Sequence, residues 1–144
     1  MPTVRQLLAE KPINAVHAVH PDQMVIEALE MMASRRLGAV MVIESDQLIG
    51  IFSERDYARK GILEGRKAKS TPVTEVMTAN VFVVTPDQSI EDCMKMMSDK
   101  HIRHLPVVEN NQVIGLLSIG DIVTAMLREQ ENHIQNLEQY ITGY

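Results

Sequence analysis

Shifted by 65 positions, the sequence aligns with itself without a gap. Val16 falls on Val81, Val19 on Val84, Pro21-Asp22-Gln23 on Pro86-Asp87-Gln88, and Met31-Met32 on Met96-Met97. Val42 meets Val107, Glu44 meets Glu109, Gln47 meets Gln112, Ile49-Gly50 meets Ile114-Gly115, Ser53 meets Ser118 and Asp56 meets Asp121. From Val16 to Tyr57 this gives 14 identities in 42 positions, where chance gives roughly 3. A chain of 144 residues holding such a duplication must fold as two similar small motifs. Each is too small for a large core alone, and two together can share one.

Each copy reads as β-α-β-β-α. A β-branched strand (Val16–Val19; Val81–Val84) ends at Pro-Asp, where a helix starts. Ser89-Ile90-Glu91-Asp92 carries a capping-box signature, which Met24 breaks in the first copy. The helices bury Val25, Ala28, Leu29 and Met32, or Ile90, Cys93, Met94 and Met97, an i, i+3, i+4, i+7 stripe. Strand pairs follow at Gly38–Ile43 with Leu48–Phe52, and at His104–Val108 with Val113–Leu117. Turns at Glu44-Ser45-Asp46-Gln47 and Glu109-Asn110-Asn111-Gln112 make each pair a hairpin. A second helix begins at Ser53 or Ser118. The fold class is α/β (α+β), two repeats packed as one pseudo-two-fold module. The expected division is repeat 1 over 4–62, a connector over 63–72, repeat 2 over 73–130 and a helical tail over 131–144. Gly61 to Thr71, with Arg66, Lys67 and Lys69, reads as a solvated connector rather than a functional basic patch. In the tail, Ile122, Met126, Ile134, Leu137 and Ile141 fall roughly on one side, which suits packing on a second subunit.

Composition narrows the function. Fourteen Lys and Arg against nineteen Asp and Glu give a net charge of −5, which argues against a nucleic-acid coat. Two Phe, three Tyr and no Trp leave little for base stacking. Cys93 is the one cysteine, so there is no internal disulfide and no cysteine-cluster metal site. The apolar runs are too short to span a bilayer, and the N-terminus lacks a signal pattern, so the expected compartment is the cytoplasm.

The chemistry-bearing residues lie at the repeated strand-to-helix junctions. Ser53-Glu54-Arg55-Asp56 matches Ser118-Ile119-Gly120-Asp121. Taken alone, Ser-x-x-Asp is a helix cap, its hydroxyl satisfying an orphan amide and its acid complementing the helix dipole. The same helix start can also meet an anion, with the acid one turn in accepting both hydroxyls of a ribose. His101-Ile102-Arg103-His104-Leu105-Pro106 supplies a phosphate fork in Arg103 and a donor in His104. The first copy has Arg36, Gly38, Ala39 and Met41 at the matching positions of 101, 103, 104 and 106, so the copies diverge where phosphate contacts would lie. The competing reading of Arg103 and His104 is a solvated strand edge. A metal pair of His101 with His104, or of His17 with His20, lacks a third ligand, and no metal is assigned.

These motifs carry a resemblance. Val-x-Pro-Asp at each strand end, Arg-His-Leu-Pro-Val-Val at 103–108 and Gly-h-h-Ser-x-x-Asp twice (h, apolar) resemble the tandem cystathionine-β-synthase-type repeat, the CBS pair or Bateman module. Ser53-Glu54-Arg55-Asp56-Tyr57-Ala58-Arg59-Lys60 resembles the stand-alone bacterial members, and the likeness covers roughly residues 4 to 130. The resemblance implies binding of an adenosine-containing ligand, AMP or NAD foremost, with ADP, ATP or S-adenosylmethionine as others, in two clefts between the repeats. One cleft then joins Ser53, Arg55 and Asp56 to Thr78, Asn80, Arg103, His104, Leu105 and Pro106. Asp56 takes the ribose, Ser53 and Arg103 the phosphate, and the apolar strand residues and backbone the adenine. The other joins Ser118 and Asp121 to Val16, Gly38 and Ala39; it lacks the Arg-His pair and has Ile13 where the first has Thr78. Unequal sites follow, with the Asp56–Arg103 cleft the stronger.

The expected function is a ligand-sensing regulatory module acting on an unidentified partner protein through the geometry of a homodimer. It is not expected to be an enzyme: Cys93 sits on a buried stripe, and no acid–base pair has a visible task beyond the ribose acids. The alternatives are a structural protein with vestigial ligand sites, or a housekeeping binder or weak nucleotide-processing enzyme.

Overall fold

The computed structural model describes residues 2–11 and 15–142. In chain order the helices and strands are α1 (Val4–Glu10), β1 (Ala18–Val19), α2 (Val25–Arg35), β2 (Ala39–Glu44), β3 (Gln47–Ser53), α3 (Glu54–Asp56), α4 (Ile90–Lys100), β4 (His104–Glu109), β5 (Gln112–Ser118) and α5 (Ile119–Thr142). Packing separates the chain into two compact units. One comprises residues 15–82 with 110–113; the other comprises 2–11, 83–109 and 114–142.

In the first unit β1 pairs parallel with β2, and β2 antiparallel with β3. Ser45 and Asp46 both have positive φ, 51° and 62°, the two-residue hairpin turn that matches strand twist. Apolar residues of α2 (Val25, Ala28, Met32) close over Val19, Val40, Val42 and Phe52, with Val73 and Val76 completing the core. The second unit repeats the plan. Helix α4 places Ile90, Cys93 and Met97 against Leu105, Val107, Leu117 and Ile122. The β4–β5 turn, whose residues 110–113 are counted with the first unit, again holds two positive φ values, 54° at Asn110 and 63° at Asn111. Even the helix ends are copied: Arg36 and His101 are left-handed C-caps at φ 56° and 55°.

The strand expected over Val81–Val84 is reduced to a single parallel bridge, Val84 to Val107. The cause is one residue. In the first unit the Met41 N–H donates to the His17 carbonyl at 3.1 Å and extends the ladder beyond the Val19–Val42 pair. The equivalent of Met41 is Pro106, which has no N–H to give. The first-copy strand is itself shorter than expected, Ala18–Val19. The second helices also diverge: α3 passes into a widened π turn (Tyr57–Gly61) and a 3-10 turn (Ile62–Glu64), whereas α5 runs unbroken. A Cβ on Gly61 would lie 2.8 Å from the Tyr57 ring, so this turn needs a glycine there.

The segment before each copy packs in the unit of the other copy. Val73 N–H donates to Gln23 O, Thr74 N–H to Pro21 O, and Val25 N–H to Thr71 O. The second unit shows the same three bonds from Val4 to Gln88, Arg5 to Pro86, and Ile90 to Pro2. Helix α1 thereby buries Val4, Leu7 and Leu8 in the core of the second unit. Sequence repeats and packing units are thus different partitions of the chain. The 61–71 segment is only partly the solvated connector its composition suggests. Lys67 and Lys69 are exposed, but Thr71 is buried and Ala68 packs on the core. The Ala68 carbonyl accepts from Ile26 N–H at 3.0 Å, supplying an acceptor at a helix start whose N-cap, Met24, makes no side-chain cap bond.

Candidate functional site

In the first unit the Ser53–Asp56 pair sits where β3 becomes α3. Ser53 N–H donates to Asp56 Oδ2 at 2.9 Å, Ser53 Oγ–H to the same oxygen at 3.0 Å, and Asp56 N–H to Ser53 Oγ at 3.2 Å. This is a reciprocal capping box. Asp56 Oδ1 accepts from the Thr78 hydroxyl at 3.0 Å. Lys60 Nζ lies 3.9 Å from the same oxygen and donates to Met77 O at 3.3 Å. The Asp56 side chain is 14% exposed. A carboxylate offers about four lone-pair positions, so Oδ1 retains one for a further donor.

Thr78 is held by backbone. It exchanges two hydrogen bonds with Ile51, 2.8 and 3.0 Å, so residues 77–78 lie along β3. The close approach requires Gly50, where a Cβ would stand 2.5 Å from Met77 Sδ and 3.1 Å from Thr78 O. Arg55 and Asn80 are exposed in the same unit.

The second unit repeats the cap and changes its neighbour. Ser118 N–H donates to Asp121 Oδ2 at 2.9 Å, and Asp121 N–H to Ser118 Oγ at 3.1 Å. Here Lys11 forms a direct ion pair with Asp121 Oδ2 at 3.1 Å and donates to Leu116 O at 2.9 Å. Both side chains are mostly buried, 22% and 26% exposed. Leu7, Glu10, Thr124 and Arg128 line a small pocket beside this pair. Lys11 was not among the expected site residues, because its position depends on α1 packing in the second copy's unit. Lys60 was also missed, although its i+4 spacing from Asp56 was readable.

The remaining expected residues lie as follows. Arg103 is exposed and its carbonyl accepts from Ile119 N–H at 2.8 Å. This copies the bond from Glu54 N–H to the Gly38 carbonyl at 3.2 Å. His104 opens β4. Leu105 is fully buried in the core of the second unit, so only its backbone is on offer, and Pro106 is buried beside it. Val16 is 43% exposed, Gly38 is exposed and Ala39 is buried. Ile13 lies outside the described residues. Cys93 is fully buried, and burial, with a smaller contribution from the Asp92 charge, pushes its thiol up to about 11. Such a thiol is inert. Among the described residues no group of three or more His, Cys, Asp or Glu could hold a metal ion, and no helix is long and apolar enough to cross a membrane.

Against known proteins, the CBS domain family matches residues 4–61 and 73–128. The mitochondrial CBS domain-containing protein CBSX3 of Arabidopsis thaliana is 40% identical over 127 residues, 85% of this chain and 62% of that protein; the chain thus spans less than two thirds of the plant relative. CBS domain-containing protein YhcV of Bacillus subtilis is 33% identical over 115 residues, 80% of this chain and 81% of the relative. Among solved structures, a putative signal-transduction protein with CBS domains from Burkholderia ambifaria superposes with a TM-score of 0.86 at 42% identity, covering 89% of this chain and 96% of the other. With both copies matched by the family and the duplicated Ser-x-x-Asp helix starts in place, the chain belongs to the CBS domain family, as a tandem pair.

Proposed function

We propose that this CBS pair is a cytoplasmic regulatory module that binds an adenosine-containing nucleotide of the AMP or NAD type. Ligand binding would change the geometry of a homodimer that a partner protein reads. It acts as a binder, with no catalytic group assigned. The observation that carries the reading is the Asp56 carboxylate, preorganised by Ser53 and Thr78 and with acceptor capacity left on Oδ1. Ribose hydroxyls are suitable donors for such an acid. Arg103 and His104 are the proposed phosphate ligands. A nucleotide can shift the module only by preferring one of its arrangements.

The two acids are proposed to be unequal. Asp121 already holds Lys11, so a ribose arriving there must share or displace an ion pair. That observation favours a vestigial role for the Asp121 site while leaving Asp56 as the working one.

Thermal unfolding with adenosine, AMP, ATP, NAD and S-adenosylmethionine tests the proposal. At ligand about 100-fold above Kd, one site adds about 2.7 kcal/mol, a rise of several degrees for a chain of this size. Asp56→Asn, which keeps an acceptor for the cap, is expected to abolish the rise measured from its own ligand-free midpoint. Asp121→Asn is expected to keep it. Loss in the Asp121 variant alone would transfer the role to the other acid. No shift with any of the five compounds would leave a structural protein.

A further inference from the structure

The helix α5 outlasts the family match, which ends at residue 128, and continues to Thr142. Its apolar residues divide into two faces. Ile122 is buried, and Ala125 and Met126 pack against the core of the second unit. Val123, Leu127, Ile134, Leu137 and Ile141 are instead 42, 57, 55, 48 and 80% exposed. With Gln130 between them, these positions alternate in steps of four and three, the spacing of a coiled-coil seam. Every residue from Leu127 to Ile141 is exposed. A lone amphipathic helix of this length is marginal in water, and an apolar seam ordered at heptad spacing fits the same seam on another helix.

We propose that residues 123–141 pair with a second copy of this chain, as a parallel, in-register, two-stranded coil. The polar residues within and beside the seam choose the partner and its direction. In this register Glu131 and Glu138 occupy the flanking positions on one side of the seam, with His133 on the other. Parallel pairing sets His133 of one chain beside Glu138 of its partner, twice by symmetry, and puts Gln130 opposite its own copy. Antiparallel pairing instead sets the flank that carries Glu131 and Glu138 against its own copy, a like-charge contact. A single polar seam residue such as Gln130 lowers stability but fixes register. The inference rests on the homodimer reading above and adds the surface and direction of assembly.

Disulfide trapping of the full chain tests it, since the native Cys93 is buried. Leu137→Cys puts a thiol on the seam, and Gln135→Cys puts one on the outward face. The expected result is at least tenfold faster oxidation of the Leu137→Cys chain to a covalent dimer, abolished when Ile134→Asp is added. Equal rates for the two thiols would overturn the proposal. A chain that sediments as a dimer without trapping through Leu137→Cys would overturn tail pairing and leave the dimer. A chain that sediments as a monomer at every concentration would overturn both.

Discussion

At Gly50 the absent side chain matters as much as any group in the site. A Cβ there would stand 2.5 Å from Met77 Sδ and 3.1 Å from the Thr78 carbonyl oxygen, so Gly50→Ala must turn the Met77 side chain aside and ease the Thr78 backbone off β3 by a few tenths of an ångström. The expected cost is about 1–3 kcal/mol in urea unfolding. If Asp56 is the ribose acid, the same variant reduces ligand-induced stabilisation, because the hydroxyl of Thr78 moves with its backbone. Lys11→Met should do the reverse for Asp121: a second, weaker adenosine site is expected to appear in calorimetric titration, and an unchanged stoichiometry would remove Lys11 as its blocker. Cys93 gives a pH dependence. Its thiol is raised from 9.0 to about 11, so between these values the unfolded chain has lost a proton that the folded chain keeps. Stability is therefore expected to fall as pH rises through that window, by about 1.4 kcal/mol per unit; Cys93→Ala should flatten that limb. At this scale the Ser53–Asp56 and Ser118–Asp121 caps were readable, because the spacing alone places hydroxyl and acid at one helix start. The Lys11 contact was not, because it spans 110 residues and no local pattern requires it.

Among the elements, the two hairpins and the helices α2 and α4 follow the hydrophobic periodicity closely, since their burial patterns are set by side chains. Their ends shifted by a residue or so where backbone bonds decide. The second-copy first strand departs from its β-branched pattern because of Pro106: β-branched residues favour extension, but a ladder also needs donors. The helix starts differ in the same way. Ser89 caps α4 with its hydroxyl on Asp92 N–H at 3.1 Å, whereas α2 has Met24 and takes the Ala68 carbonyl instead. Ser89→Ala is accordingly expected to cost about 1 kcal/mol. Met24→Ala should leave the cap intact and lose only partial burial. Chemical denaturation of both variants checks the contrast, and equal loss with equal hydrogen-exchange change at the two helix starts would contradict it.

For the whole molecule, the 65-residue shift disclosed two copies but not which segment completes which core. That choice rests on backbone bonds from residues 2–5 and 71–74, and backbone bonds leave little trace in residue type. Deleting residues 1–11 is expected to damage the second copy rather than the first, because Val4, Leu7 and Leu8 leave its core. Hydrogen exchange should then rise at Cys93 and Met97 while Ala28 and Met32 keep their protection; the opposite pattern would reject this assignment. The exchange of segments also governs how the chain emerges during synthesis. Helix α1 is translated before the rest of its core, and the partners of Val4, Leu7 and Leu8 extend to Ile122. This apolar segment must therefore wait for its partners until Ile122 has been made, while the core around Phe52 needs nothing beyond Met77. Of the two units, the one that α1 enters closes second.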